Sequence, residues 1–146
     1  MAHETTGCVF CDIVAGRAAA DIAGENELSL ALVDINPLAE GHCLVIPKRH
    51  EPWWHDLTEE ETASLFVLAR DVARRMMSAL GPDFVCLYAR GRRIPHTHIF
   101  LVPSHAGDPL DRYFNALEAF QEGAPELARL GEPAPRRAVA RRLTDG

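Results

Sequence analysis

No apolar run in the 146 residues approaches the roughly 20 that a membrane helix needs. The opening "MAHETTG" has no charged segment leading into an apolar one, as a secretory leader would. The expectation is a cytoplasmic protein with no membrane contact. Surplus positive charge is also lacking. The net charge is -6, and a sequence-independent hold on a phosphate backbone needs excess Lys and Arg, so no nucleic-acid partner is expected. The four cysteines do not read as a disulfide framework. Cys43 and Cys86 sit in apolar runs and read as core, which leaves "CVFC" at 8–11 with the spacing of metal ligands or a redox pair. There is no internal repeat and no low-complexity linker.

What is present suits one soluble domain with a real core: 47% hydrophobic and 25% charged residues over a length that leaves no room for a second domain. "CVFCDIVAG" reads as a short helix ended by Gly16. "DIA" and "LSLALVD", parted by the turn-like "GENE", read as a hairpin, and "HCLVIP" at 42–47 as a third strand closed by Pro47. Thr58 and Glu61 form a capping box, after which Leu65, Leu68, Val72, Met76 and Leu80 keep helical spacing up to Gly81 and Pro82. "DFVCLYA" (83–89) and "HTHIFLVP" (96–103) predict two more strands, joined by the basic "RGRRIP". "PLDRYFNALEAFQEG" and "APRRAVARRL" predict two terminal helices. The order implies an α+β fold, with helices packed on a mostly antiparallel sheet.

The chemistry concentrates in two places. Cys8 and Cys11 are either two buried thiols on one turn, a redox pair, or half a zinc site, which needs two further ligands to close a tetrahedron. His50 and His96 are available for that, although a lone His50 would read as a solvated loop residue. His96 and His98 stand two apart in a run read as a buried strand, followed by Phe100; positions two apart in a strand share a face. A neutral imidazole attacks phosphorus or acyl carbon well if its other ring nitrogen donates to a fixed acceptor.

"GRRIPHTHIFLVP", together with "CVFCDIVAG", "LALVDINPLAEGHCLVIPKRH" and the capped helix in that order, resembles the histidine triad (HIT) superfamily of nucleotide hydrolases and transferases over about residues 8–103. The resemblance implies a single HIT-like domain over 1–146, with 104–146 as a C-terminal helical extension. It implies that His98 is the nucleophile, attacking the α-phosphorus of a nucleoside phosphoanhydride-like substrate to form a covalent nucleotidyl-histidine. It places His42 beside that nucleophile and makes Asp34, Ile35 and Asn36 the lining of a nucleoside pocket, with Asp34 binding ribose hydroxyls. Cys8, Cys11, His50 and His96 become the ligands of a structural zinc ion, and a homodimer through the long helix and a sheet edge is expected.

Two departures bear on the substrate. The third triad position is Phe100, where relatives carry a hydrogen-bond donor, His or Gln. The approach loop is "YARGRR", so that Arg90, Arg92 and Arg93 read either as a solvated loop or as an anion clamp. A leaving group that is a weak base, such as phosphate or sulfate, departs without a donor, whereas an amine does not. Two other readings stand beside this one: a repurposed biosynthetic enzyme using His98 and His42 on a non-nucleotide substrate, and a nucleotide-binding protein that has lost turnover through Phe100. His3, His55 and His105 receive no role. Trp53 and Trp54 either wall the pocket or pack on the sheet, and the terminal segment has no assigned function.

Overall fold

The computed structural model describes residues 7–146 and divides into two compact units, one ending at Ala106 and one formed by Gly107–Gly146; His3 lies outside the described residues. The first unit is built around two strands buried on both faces, β2 (Ser29–Val33) and β3 (Cys43–Pro47). They pair antiparallel from Ser29↔Pro47 to Val33↔Cys43. On one face Ala31, Cys43 and Val45 join Leu65, Leu68, Val72 and Met76 of helix α2 (Glu59–Leu80). On the other, Leu30, Leu32, Leu44 and Ile46 join Cys8, Phe10 and Cys11 around helix α1 (Val9–Val14). Near-continuous apolar runs, not clean alternation, are what a sheet covered on both sides requires.

Strands β1 (Ile22–Glu25), β4 (Phe84–Tyr88) and β5 (Ile99–Ser104) complete a five-stranded sheet in the order β1-β2-β3-β5-β4, with every neighbouring pair antiparallel. The α+β expectation therefore holds. The anticipated hairpin is there, although β1 runs through Gly24 and Glu25, so the turn is tighter than "GENE" suggested.

Helix α2 starts as its sequence dictates. The Thr58 hydroxyl accepts from the Glu61 N–H at 3.1 Å and the Glu61 carboxylate accepts from the Thr58 N–H at 3.0 Å. It ends on Gly81, whose φ of 62° is the left-handed cap that favours glycine. Leu65, at 0% exposure, lies at the centre of the α2 core face, where truncation to Ala costs about 2–5 kcal/mol.

The second unit holds α3 (Pro109–Gly123), α4 (Pro125–Ala128) and α5 (Pro133–Thr144). Asp108 caps α3 by accepting from the Asp111 N–H at 2.8 Å. The two terminal helices lie where the sequence put them, and α4 is an additional short turn between them.

Candidate active site and metal centre

The strand expected over 96–103 is shorter than its sequence pattern. The segment 96–103 does not run as a strand from its first residue, because β5 begins at Ile99 and His96, Thr97 and His98 lie in the loop before it. Pairing stops there for a physical reason. The His96 N–H turns back to the Ile94 carbonyl at 2.9 Å, and the Thr97 N–H goes to the Glu51 carbonyl at 2.7 Å. Neither amide remains for a ladder with β3. The two imidazoles consequently have different hydrogen-bond partners instead of repeating along one strand face, though Phe10 contacts both rings, at centroid distances of 5.6 Å and 5.3 Å.

His96 is fully buried and turned toward α1. Its Nε2–H donates to the Pro47 carbonyl at 2.8 Å, which leaves the Nδ1 lone pair facing Cys8 Sγ at 3.5 Å and Cys11 Sγ at 3.6 Å. Burial pushes its pKa down to about 4, with His50 and His98 adding to the fall and the Pro47 bond opposing it. His50 Nδ1 stands 3.2 Å from Cys11 Sγ. The donor atoms of Cys8, Cys11, His50 and His96 all fall within 4.8 Å of one another.

Zinc held at about 2.3 Å from sulfur and 2.0–2.1 Å from nitrogen spaces its tetrahedral N···S edges at about 3.6 Å. The Cys8–His96 and Cys11–His96 separations of 3.5 Å and 3.6 Å match that edge and the Cys11–His50 separation of 3.2 Å is shorter, so the four side chains fit the ion. With four protein ligands the set is closed.

His98 is also buried, but its ring is held by a different acceptor. Its Nδ1–H donates to the His96 carbonyl at 2.7 Å, so in the neutral ring the Nε2 lone pair is free. The Phe100 ring meets His98 edge-on at 5.2 Å and His42 at 5.5 Å, while stacking on Tyr88 at 4.9 Å. Phe100 thus packs edge-on against both imidazoles.

His42 is 2% exposed. Its Nδ1 accepts from the Leu38 N–H at 3.1 Å, a bond that requires a lone pair and makes the ring the neutral Nε2–H tautomer. Burial lowers its pKa, opposed by Asp34. The 3.5 Å approach of Nε2 to Asp34 Oδ2 is therefore a neutral donor facing a carboxylate, not an ion pair. That nitrogen makes no hydrogen bond among the described residues. Asp34 is itself fixed, its Oδ1 accepting from the Asn36 N–H at 2.7 Å.

The other expected residues are less enclosed. Ile35 is 90% exposed and Asn36 is exposed. Arg90, Arg92 and Arg93 face solvent on the loop between β4 and β5 and make no hydrogen bond or ion pair to described residues; no contact brings them to the histidines. Trp53 and Trp54 are exposed, and their ring contacts run to His55, not to the site histidines.

Sequence reasoning missed the wedge of Phe10 and the bond pair from Thr97 to Glu51. A phenylalanine between two candidate ligands was the available signal for the first.

An antiparallel sheet with one long helix across one face and a histidine cluster on the other defines an α+β domain of a recognisable class. A family model described as the HIT domain matches residues 15–107, and the chain belongs to that family. It is 37% identical over 101 residues to the adenosine 5'-monophosphoramidase of Schizosaccharomyces pombe, covering 66% of this chain and 73% of that protein. It is 32% identical over 108 residues to the adenylylsulfatase of Arabidopsis thaliana, covering 70% of this chain but only 55% of that longer protein. Among solved structures, a zinc-bound histidine triad family protein from Mycobacterium smegmatis superposes with a TM-score of 0.66 at 34% identity, covering 71% of this chain and 79% of that one.

Proposed function

We propose that the chain is a nucleotide hydrolase or nucleotidyl transferase acting at the α-phosphorus of a nucleoside phosphoanhydride-like substrate. The observation that carries this is the bond from His98 Nδ1–H to the His96 carbonyl, which in the neutral ring leaves the Nε2 lone pair free for attack. Nε2 attacks phosphorus, a P–N bond forms, and the bond to the leaving oxygen breaks with its electron pair. Water or another acceptor then attacks phosphorus, the P–N bond breaks, and the acceptor's proton passes to solvent. Asp34, Ile35 and Asn36 hold the nucleoside, and the His42 Nε2–H supplies a buried donor beside Asp34.

The leaving group follows from Phe100. The two named relatives act on different bonds, one to an amine and one to sulfate. An amine needs a proton to depart and sulfate does not. Phe100 has no proton to give, so this site suits a weakly basic anion, with Arg90, Arg92 and Arg93 as its clamp.

Zinc at Cys8, Cys11, His50 and His96 fixes α1 against the histidine loop and, with no open position, serves structure alone. A homodimer through α2 and the β4 edge completes the reading. Its support is the exposed apolar set Phe66, Met77, Leu80 and Leu87.

The test is intact-protein mass spectrometry after brief incubation with a panel of nucleoside phosphoanhydrides, including adenylyl sulfate, quenched at high pH. The expected result is a nucleotidyl-sized increment that His98→Ala abolishes. Nucleotide binding with no increment from any member of the panel would replace this reading with the binding-only one.

A further inference from the structure

We infer that Thr97 is a positioning residue: its hydroxyl locks the loop carrying the metal ligand and the nucleophile onto the loop carrying His50. The inference rests on the roles proposed above for His96 and His98. Thr97 is 5% exposed and lies between them. Its N–H and its Oγ1–H both donate to one acceptor, the Glu51 carbonyl, each at 2.7 Å. Glu51 directly follows His50, so this clamp joins the two loops that supply the histidine ligands.

The acceptor side is anchored in turn. The Glu51 carboxylate accepts from the Trp53 N–H at 3.2 Å and from Arg49 Nη1 at 3.3 Å. The Arg49 guanidinium forks onto Glu61, with Nε to Oε2 at 2.8 Å and Nη2 to Oε1 at 2.9 Å. Glu61 closes the cap of α2. A continuous run of hydrogen bonds therefore leads from the start of the long helix to the residue between His96 and His98.

Its consequence is twofold. Both histidine ligands are held at their spacing before an ion arrives, and preorganisation of this kind raises affinity by removing an ordering cost. The His96 carbonyl, the acceptor that sets the His98 tautomer, belongs to the same clamped loop. Outer hydrogen bonds that orient ligands typically control metal affinity by 10–100-fold.

Thr97→Val keeps the shape and the backbone bond and removes only the hydroxyl. In the full chain, zinc affinity is measured by competition with a chelator, and the His98 tautomer by nitrogen-15 imidazole spectra without substrate. The expected result for Thr97→Val is zinc binding weakened about tenfold or more, with His98 shifting from its Nδ1–H form toward a mixture. Thr97→Ser should restore both. Arg49→Met, at the far end of the run, should move both the same way by less.

Unchanged zinc affinity and tautomer in Thr97→Val would overturn the inference, as would a Thr97→Ser chain no better than the valine one. Should Thr97→Val fail to fold, Arg49→Met decides alone, and parental values for it would overturn the inference. A parent chain that takes up no zinc would sink the metal reading, while the tautomer ratio still decides the role of Thr97.

Discussion

Phe100 touches both site imidazoles and offers neither a donor. Replacing it with histidine puts a proton beside the leaving atom while leaving His98 and its carbonyl acceptor in place. Phe100→His should raise kcat/KM for an amine-linked nucleoside phosphoramidate relative to adenylyl sulfate by up to about a hundredfold, the scale measured for single transition-state donors. An unchanged ratio would mean that the aromatic ring does not select the leaving group. His42 gives a second prediction, in stability. Burial holds its folded pKa below its ordinary value, so below about pH 6.5 the unfolded chain binds a proton that the folded chain refuses. Stability from this group is full above that pH and falls as the medium is acidified toward the folded pKa, where the Leu38 N–H loses its acceptor. Urea midpoints at pH 7.5 and 5.5 should therefore fall less for His42→Asn than for the parent, and equal falls would refute the assignment.

At the scale of elements, the α2 cap carries more than a helix start. Thr58→Ala removes one cap bond and should cost about 1 kcal/mol. Glu61→Ala removes the other cap bond and the Arg49 fork, and hydrogen bonds to charged groups are worth about 1.5–3 kcal/mol. The same fork holds the Glu61 carboxyl below its usual range. Urea denaturation should rank Glu61→Ala as the more damaging change, and parity would show that the fork contributes nothing. The cap was legible in sequence because its partners lie three residues apart, whereas Arg49 stands 12 residues from Glu61 and carries no periodic mark. The same contrast explains β5. Alternating side chains announce an extended segment from His96 onward, but whether it pairs depends on where each N–H goes. The Glu51 carbonyl that takes the Thr97 amide lies 46 residues away. The cluster of Cys8, Cys11, His50 and His96 was legible by spacing and resemblance; the carbonyl acceptors that set which ring nitrogen of each histidine stays free, Pro47 for His96 and His96 for His98, were not.

For the molecule as a whole, the question is what covers the apolar surface that the first unit leaves exposed. The core face of α2 already uses Leu65, Leu68, Val72 and Met76. Phe66 and Met77 lie eleven residues apart, within about 20° of each other around a helix of 3.6 residues per turn, with Leu80 beside them, and all are more than a third exposed. The stripe is wider than one sheet face needs. Leu87 of the edge strand β4 pairs with Leu101 on the α2 side of the sheet and is 46% exposed, so it extends the same patch. An unpaired strand edge next to an apolar helix stripe is a surface that invites a second copy. If α2 and β4 form the proposed interface, sedimentation equilibrium at micromolar concentration should give about twice the chain mass, and Leu87→Arg, which puts a charge on that edge, should return it to the monomer with its helical circular dichroism intact. A parent chain that sediments as a monomer, or a Leu87→Arg dimer as tight as the parent, would mean that this surface is not an interface between copies of the chain.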